Sequence, residues 1–156
     1  MVRSHPPSIA SFYSEPLSIS LLKSSLTAHS GAVFRRGVFF LSSLIGDEAE
    51  CTIERCKTWE GCYGRIVEMT GAGDEVDVRE VCLSVVTSLM SLGGEFSENI
   101  LPHAEALQGC AKECLERFRE EEDQEVKDSM QEEVNAFVRA MKFVKAEKEK
   151  RTAAGG

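Results

Sequence analysis

Proline is nearly missing from most of this chain. Three of its four prolines fall in the first sixteen residues (Pro6, Pro7, Pro16), and only Pro102 follows. A stretch that avoids the strongest helix breaker is free to be helical. Histidine is as scarce: His5, His29 and His103 are scattered, two of them in the first 46 residues. No G-x-S-x-G, phosphate loop or H-E-x-x-H pattern occurs, so no catalytic residue is assigned. The acidic run over 116–133 lacks the D-x-D-x-D-G spacing of a calcium loop and reads as a solvated face. No metal ligand set and no cofactor are expected. Apolar runs are short too. The longest, GVFFLSSLIG at 37–46, is broken by two serines and falls well below the roughly 18 residues a membrane span needs. It can touch a membrane surface or a partner, but it cannot cross a bilayer.

A chain of 156 residues fits one domain with one core. Its net charge of −8 argues against a partner held by phosphate neutralisation, so no nucleic acid is expected. The charge is unevenly placed. Residues 1–46 carry Arg3, Lys23, Arg35 and Arg36 against Glu15 alone, and all of the net negative charge lies beyond them. The same 46 residues hold eleven serines and three prolines. That composition reads as an extended basic arm of mitochondrial or plastid transit type. Its hydrophobes, Phe34, Phe39 and Phe40 among them, need cover, and a partner surface is the expected place.

Beyond residue 47 the periodicity is helical. Asp47 can cap a first helix whose stripe is Ile53, Cys56, Trp59, Tyr63, Ile66 and Val67, with glycines at 71 and 73 to end it. Asp74 can cap a second, with Val78, Val81, Cys82, Val85, Val86, Leu89 and Leu92, stopped at Gly93–Gly94. A third opens at Ser97 or, more naturally, at Pro102, with Ala104, Leu107, Ala111, Cys114, Leu115 and Phe118. After the polar run REEEDQE, Val126, Met130, Val134, Phe137, Met141 and Val144 form a coiled-coil-like seam. Acids over 120–133 and bases over 139–151 suit the dipole of a separate fourth helix. No glycine or proline breaks the chain there, however, so the expectation is one continuous or gently kinked helix to about residue 150. Such a helix projects past the bundle and leaves its seam for a partner. Residues 152–156 read as a disordered tail.

Six cysteines make a second theme. With turns near 72–73 and 96, Cys62, Cys82, Cys110 and Cys114 fall on one level of three helices. Cys51 and Cys62 are about 16 Å apart along a straight helix and cannot bridge each other. Any disulfide must join helices, with Cys62–Cys82 the first choice and Cys110 or Cys114 to Cys56 or Cys51 the second. Zinc would need four ligands around one point, and the chain has no C-x2-C knuckle. The plainest alternative is that these cysteines are small core hydrophobes. Cys56 reads as core, and Cys51 as exposed or facing the arm. The layer distantly resembles the coiled-coil-helix proteins of the mitochondrial intermembrane space, which staple a helical hairpin through paired C-x9-C motifs. The small translocase chaperones use paired C-x3-C. Here one C-x3-C occurs, at Cys110–Cys114, and Cys51/Cys62 give C-x10-C, so the chain is not assigned to either.

The sequence therefore predicts an all-α protein: a helical hairpin plus a long C-terminal helix over 47–151, with an extended arm over 1–46. Its expected role is a non-catalytic accessory subunit of a larger assembly, set in the mitochondrion, with other protein subunits as partners. Phe34, Phe39, Phe40, Trp59, Phe137 and Met141 are the candidate interface residues. Two alternatives stand beside it. One is a thiol-based redox or metal-binding bundle using Cys62, Cys82, Cys110 and Cys114. The other is a homo-oligomeric coiled-coil adaptor using the 126–144 seam.

Overall fold

Pro16 opens a helix where the composition suggested an extended arm. In the computed structural model, which describes residues 6–47, 49–72, 75–91 and 100–155, the first 46 residues fold into three helices. They are α1 (Pro6–Tyr13), α2 (Pro16–Thr27) and α3 (Gly31–Gly46). The reason is local. Proline is tolerated in a first helical turn, and Glu15 before it accepts a hydrogen bond from the Leu17 amide. Ser30 caps α3 by accepting from Val33 N–H. The arm's hydrophobes then fall on one face: Leu22, Leu26, Phe34, Val38, Leu41, Leu44 and Ile45 are all buried. Each gains about 1.5–3 kcal/mol gross from that burial. The extended arm is thus corrected to an integral helical part of the core.

The rest is helical as expected. α4 (Ile53–Lys57) and α5 (Glu60–Ala72) replace the single first helix, because the chain turns at Thr58–Trp59. Asp47 caps only a turn, accepting from Ala49 and Glu50 N–H, while Thr52 caps α4. α6 spans Val76–Ser91. A 3-10 turn over Leu101–His103 leads into α7 (Ala104–Glu120), and α8 runs over Gln124–Gly155. Gly73 of the turn expected near 72–73, the Asp74 cap, Leu92, the Gly93–Gly94 stop, the turn expected near 96 and the Ser97 start lie outside the described residues. Among the described residues there is no strand.

The continuous C-terminal helix is also corrected. Glu121 is extended, and Asp123 restarts the chain, its carboxylate accepting from Glu125 N–H at 2.9 Å and its carbonyl from Lys127 N–H at 3.0 Å. The acid-to-base gradient that suited a separate helix has a real cap at its start. α8 then folds back on α7 and α6, so Val134, Phe137 and Val144 of the seam are buried within the chain. The helix continues through 152–155 as well, so those residues are no disordered tail.

The helices stack in a regular order. α2 pairs with α3, α5 with α6, and α7 with α8. One layer runs α2, α5, α7 and the other α3, α6, α8. Pro16, Glu60 and Ala104, which open α2, α5 and α7, are 44 residues apart in each case. A short element precedes each pair: α1, α4 and the 3-10 turn. The fold is therefore a short α-solenoid of three helix-pair repeats, with a period inside the 40–47 residues usual for two- and three-helix repeats. At that 44-residue spacing, buried Phe34, Val38, Leu41 and Ile45 of α3 match buried Val78, Cys82, Val85 and Leu89 of α6. In α8 the corresponding Met130, Val134, Phe137 and Met141 come 52 residues after those of α6. α7 is four residues longer than α5, and α8 runs about one more turn than α6 before its matching positions begin, which together give the eight-residue delay.

Ion pairs cross the same seams. Arg35 of α3 holds Glu75, at 2.8 Å, and Asp77 of α6. Its guanidinium keeps the Asp77 carboxyl below the usual range. Glu133 of α8 is buried and lies 3.3 Å from Arg79 of α6 and 3.7 Å from Arg117 of α7, so one carboxylate ties three helices.

Candidate functional site

The four cysteines expected to converge do not share a site. Cys62, Cys82 and Cys114 are buried, and burial pushes each thiol up, that of Cys82 to about 12. Cys110 lies against α5, its sulfur 3.5 Å from the Val67 carbonyl, whereas Cys114 lines the α7–α8 seam with Val134 and Phe137. The two are four residues apart on one helix yet serve different interfaces. All six cysteines are free thiols, so the Cys62–Cys82 bridge is not formed. No group of three or more His, Cys, Asp or Glu side chains able to hold a metal occurs among the described residues.

The structure instead joins a pair the sequence reading passed over. Cys51 Sγ and Cys56 Sγ are 3.4 Å apart, the one sulfur–sulfur contact among the described residues. Thr52 is the N-cap of α4, so Cys51 stands just outside the helix and Cys56 in its second turn. These are the two positions where a hydrophobic staple closes over a helix start. The signal was present in the sequence as a threonine flanked by cysteines at staple spacing. The assumption of one unbroken helix from Asp47 concealed it.

The surroundings of the pair are aromatic and charged. Arg55 bonds the Glu50 carboxylate at 2.7 Å and stacks on the Tyr13 ring, 4.8 Å from its centroid. Trp59 Nε1–H donates to the Tyr13 hydroxyl at 3.0 Å, and Tyr63 O–H donates to the Cys56 carbonyl at 2.8 Å. Phe12 packs on Tyr13, Phe40 and Trp59. The pair thus sits where α1 meets the second repeat. Cys51 is half-buried and Cys56 fully buried. The sulfur–sulfur hydrogen bond, aided by the Arg55 charge, lowers the Cys51 pKa, while that same bond and burial raise Cys56. Burial likewise pushes Tyr13 up to about 12.

A second feature lies at the far end of the stack. Between α7 and α8 a hollow of about 310 Å³ is lined by Ala111, Leu115, Val134, Phe137, Val138 and Met141, with Lys142 and Lys145 at its edge. A further hollow of about 370 Å³ shares Met141 and Lys145 and extends to Ala104 and Lys148. Together they form a largely apolar groove bordered by three lysines spaced three residues apart, with Gln108 and Glu149 also lining the second hollow.

Of the candidate interface residues, Phe34, Trp59 and Phe137 are buried inside the fold and present nothing to a partner in this conformation. Phe40 is half-buried against Phe12, and Phe39 is exposed under Arg35. Met141, half-buried, lies in the groove. The 37–46 segment spends most of its apolar side chains internally, with Val38, Leu41, Leu44 and Ile45 buried. No helix among the described residues is long and apolar enough to cross a membrane.

Compared with known protein families, curated proteins and solved structures, the chain matches none of them.

Proposed function

We propose that this protein is a non-catalytic accessory subunit that binds an amphipathic helix of a partner protein in the α7–α8 groove. The observation that carries the reading is the groove's composition: an apolar floor with Val138 and Met141 open to it, edged by Lys142, Lys145 and Lys148. In this stack each repeat buries its apolar seam against the next pair of helices. The α7–α8 groove is where one more helix would lie. The three lysines outnumber Glu149, the one acid in the lining, so the edge favours a helix whose flanks are acidic. A mitochondrial setting fits this reading only if import leaves residues 6–46 in place, because they form the first repeat.

A photo-crosslinking amino acid at Val138, with one at exposed Val126 as control, tests the proposal in cells. The expected product joins Val138 to an acidic helix of one partner protein. Reversing both Lys142 and Lys145 to Glu then weakens the purified complex by about tenfold or more without changing the melting temperature of the subunit. Crosslinks from Val138 to a second copy alone would replace this reading with a homo-oligomeric adaptor. An affinity indifferent to both charge reversals would also overturn it.

A further inference from the structure

A staple over a helix start is ordinarily built from aliphatic side chains, whose only task is to exclude water. Here both positions are cysteine, and the two differ in every property that governs thiol reactivity. Cys51 is half-buried and feels the Arg55 charge; Cys56 is 1% exposed, and the two sulfurs are 3.4 Å apart. A disulfide needs its sulfurs at about 2.05 Å, so closing the pair requires them to approach by only about 1.4 Å. Side-chain rotation, together with movement of the turn that carries Cys51 outside the α4 hydrogen-bond ladder, would supply that. None of the remaining thiols has a sulfur neighbour among the described residues, although Cys110 is half-buried like Cys51. Cys62, Cys82 and Cys114 are buried, and Cys110 is held against the Val67 carbonyl.

We propose that Cys51 and Cys56 form a reversible dithiol–disulfide site that takes small-molecule disulfides as its oxidant, with Cys51 as the attacking thiol and Cys56 as the resolving one. In the first step Cys51 thiolate attacks one sulfur of the disulfide, forming a mixed disulfide and releasing one small thiolate. In the second, Cys56 gives its proton to solvent or to the released thiolate, and its sulfur attacks Cys51 Sγ. The Cys51–Cys56 bond forms and the second small thiol leaves. The two cysteines are oxidised by two electrons and the small disulfide is reduced to two thiols.

Closure has a local consequence. It fastens the segment ending at Cys51 to α4, at the place where Tyr13 and Trp59 hold α1 to the second repeat. Trp59, the only tryptophan in the chain, follows Cys56 by three residues and reports on the event directly.

The test uses the full-length protein, fully reduced, then equilibrated with mixtures of reduced and oxidised glutathione, alkylated and analysed by mass spectrometry. The expected product is lighter by two hydrogens, with a bond linking Cys51 to Cys56 and a shift in Trp59 fluorescence that reduction reverses. The Cys56→Ser variant should stop at glutathione on Cys51, and Cys51→Ser should take up none. Before oxidation, iodoacetamide at neutral pH should consume Cys51 about tenfold faster than any other cysteine. Cys51→Ala and Cys56→Ala, checked by circular dichroism for retained helicity, separate lost chemistry from lost fold. Glutathione distributed over several cysteines would overturn the proposal. So would equal uptake by the two serine variants, or a Cys51 no faster than the rest in folded protein.

Discussion

Gly71 of α5 and Cys110 of α7 meet so closely that a Cβ built on the glycine would stand 2.8 Å from the sulfur and 3.0 Å from the Cys110 Cβ. Here the second and third repeats touch almost backbone to backbone, and Cys110 uses the same approach to reach the Val67 carbonyl.

Gly71→Ala should therefore destabilise the protein by about 1–3 kcal/mol, because the obstructing atoms include Cys110 Cβ and Cα, which cannot swing aside. The helix-propensity gain of about 1 kcal/mol is too small to offset the clash. Gly109→Ala is the internal control: nothing lies within 4 Å of its Cβ position, so it should raise stability by up to about 1 kcal/mol. Urea denaturation of both variants decides the point, and a Gly71→Ala protein more stable than the parent would refute the close approach.

Glu133 carries the second prediction. Glu133→Gln leaves Arg79 and Arg117 without the carboxylate that faces both of them across three helices. Because both arginines keep some access to solvent, the expected cost is about 1–3 kcal/mol. Its exposed neighbour Glu132 is the comparison, and Glu132→Gln should stay within about 0.5 kcal/mol of the parent. Equal melting temperatures for the two variants would show that the triad contributes little.

The third concerns the first 46 residues. Their deletion removes seven buried large apolar side chains on α2 and α3 and strips the cover from α6, a gross loss on the order of 10 kcal/mol. Whole-domain stabilities are about 5–15 kcal/mol, so the shortened chain should lose cooperative melting or aggregate. A truncated protein that melts at the parent's temperature in calorimetry would restore the arm to the status of a detachable segment.

The helical class was legible because the apolar stripes are dense. Cys56, Trp59, Tyr63, Ile66 and Val67 are all buried, as are Val78, Cys82, Val85, Val86 and Leu89. The arm was misread because composition outweighed period. Phe34, Val38, Leu41 and Ile45 keep helical spacing, while most of the serines that suggested a loose arm, such as Ser11, Ser20, Ser24 and Ser43, lie within the helices, and Ser30 caps one. The break at Glu121–Asp123 has no glycine or proline to announce it. Local side-chain turns mark it, with Glu121 accepting from Asp123 N–H and Asp123 from Glu125 N–H, and such bonds compete with helix formation.

The site was less legible than the fold, for a physical reason. Placing cysteines on a common level requires the right number of helices, and three repeats instead of one hairpin send Cys110 and Cys114 to different neighbours. The Cys51–Cys56 contact is local and needs no long-range placement, but it does need the cap at Thr52.

A stack whose main contacts join adjacent repeats behaves as a row of linked springs more than as a single block. The thiol pair stands at the joint between the first and second repeats, and the lysine-edged groove in the third. Any strain released by one reaches the other mainly through the middle pair, α5 and α6. Tension applied to the ends would peel the outer repeats before the central one, which alone has a neighbour on both sides.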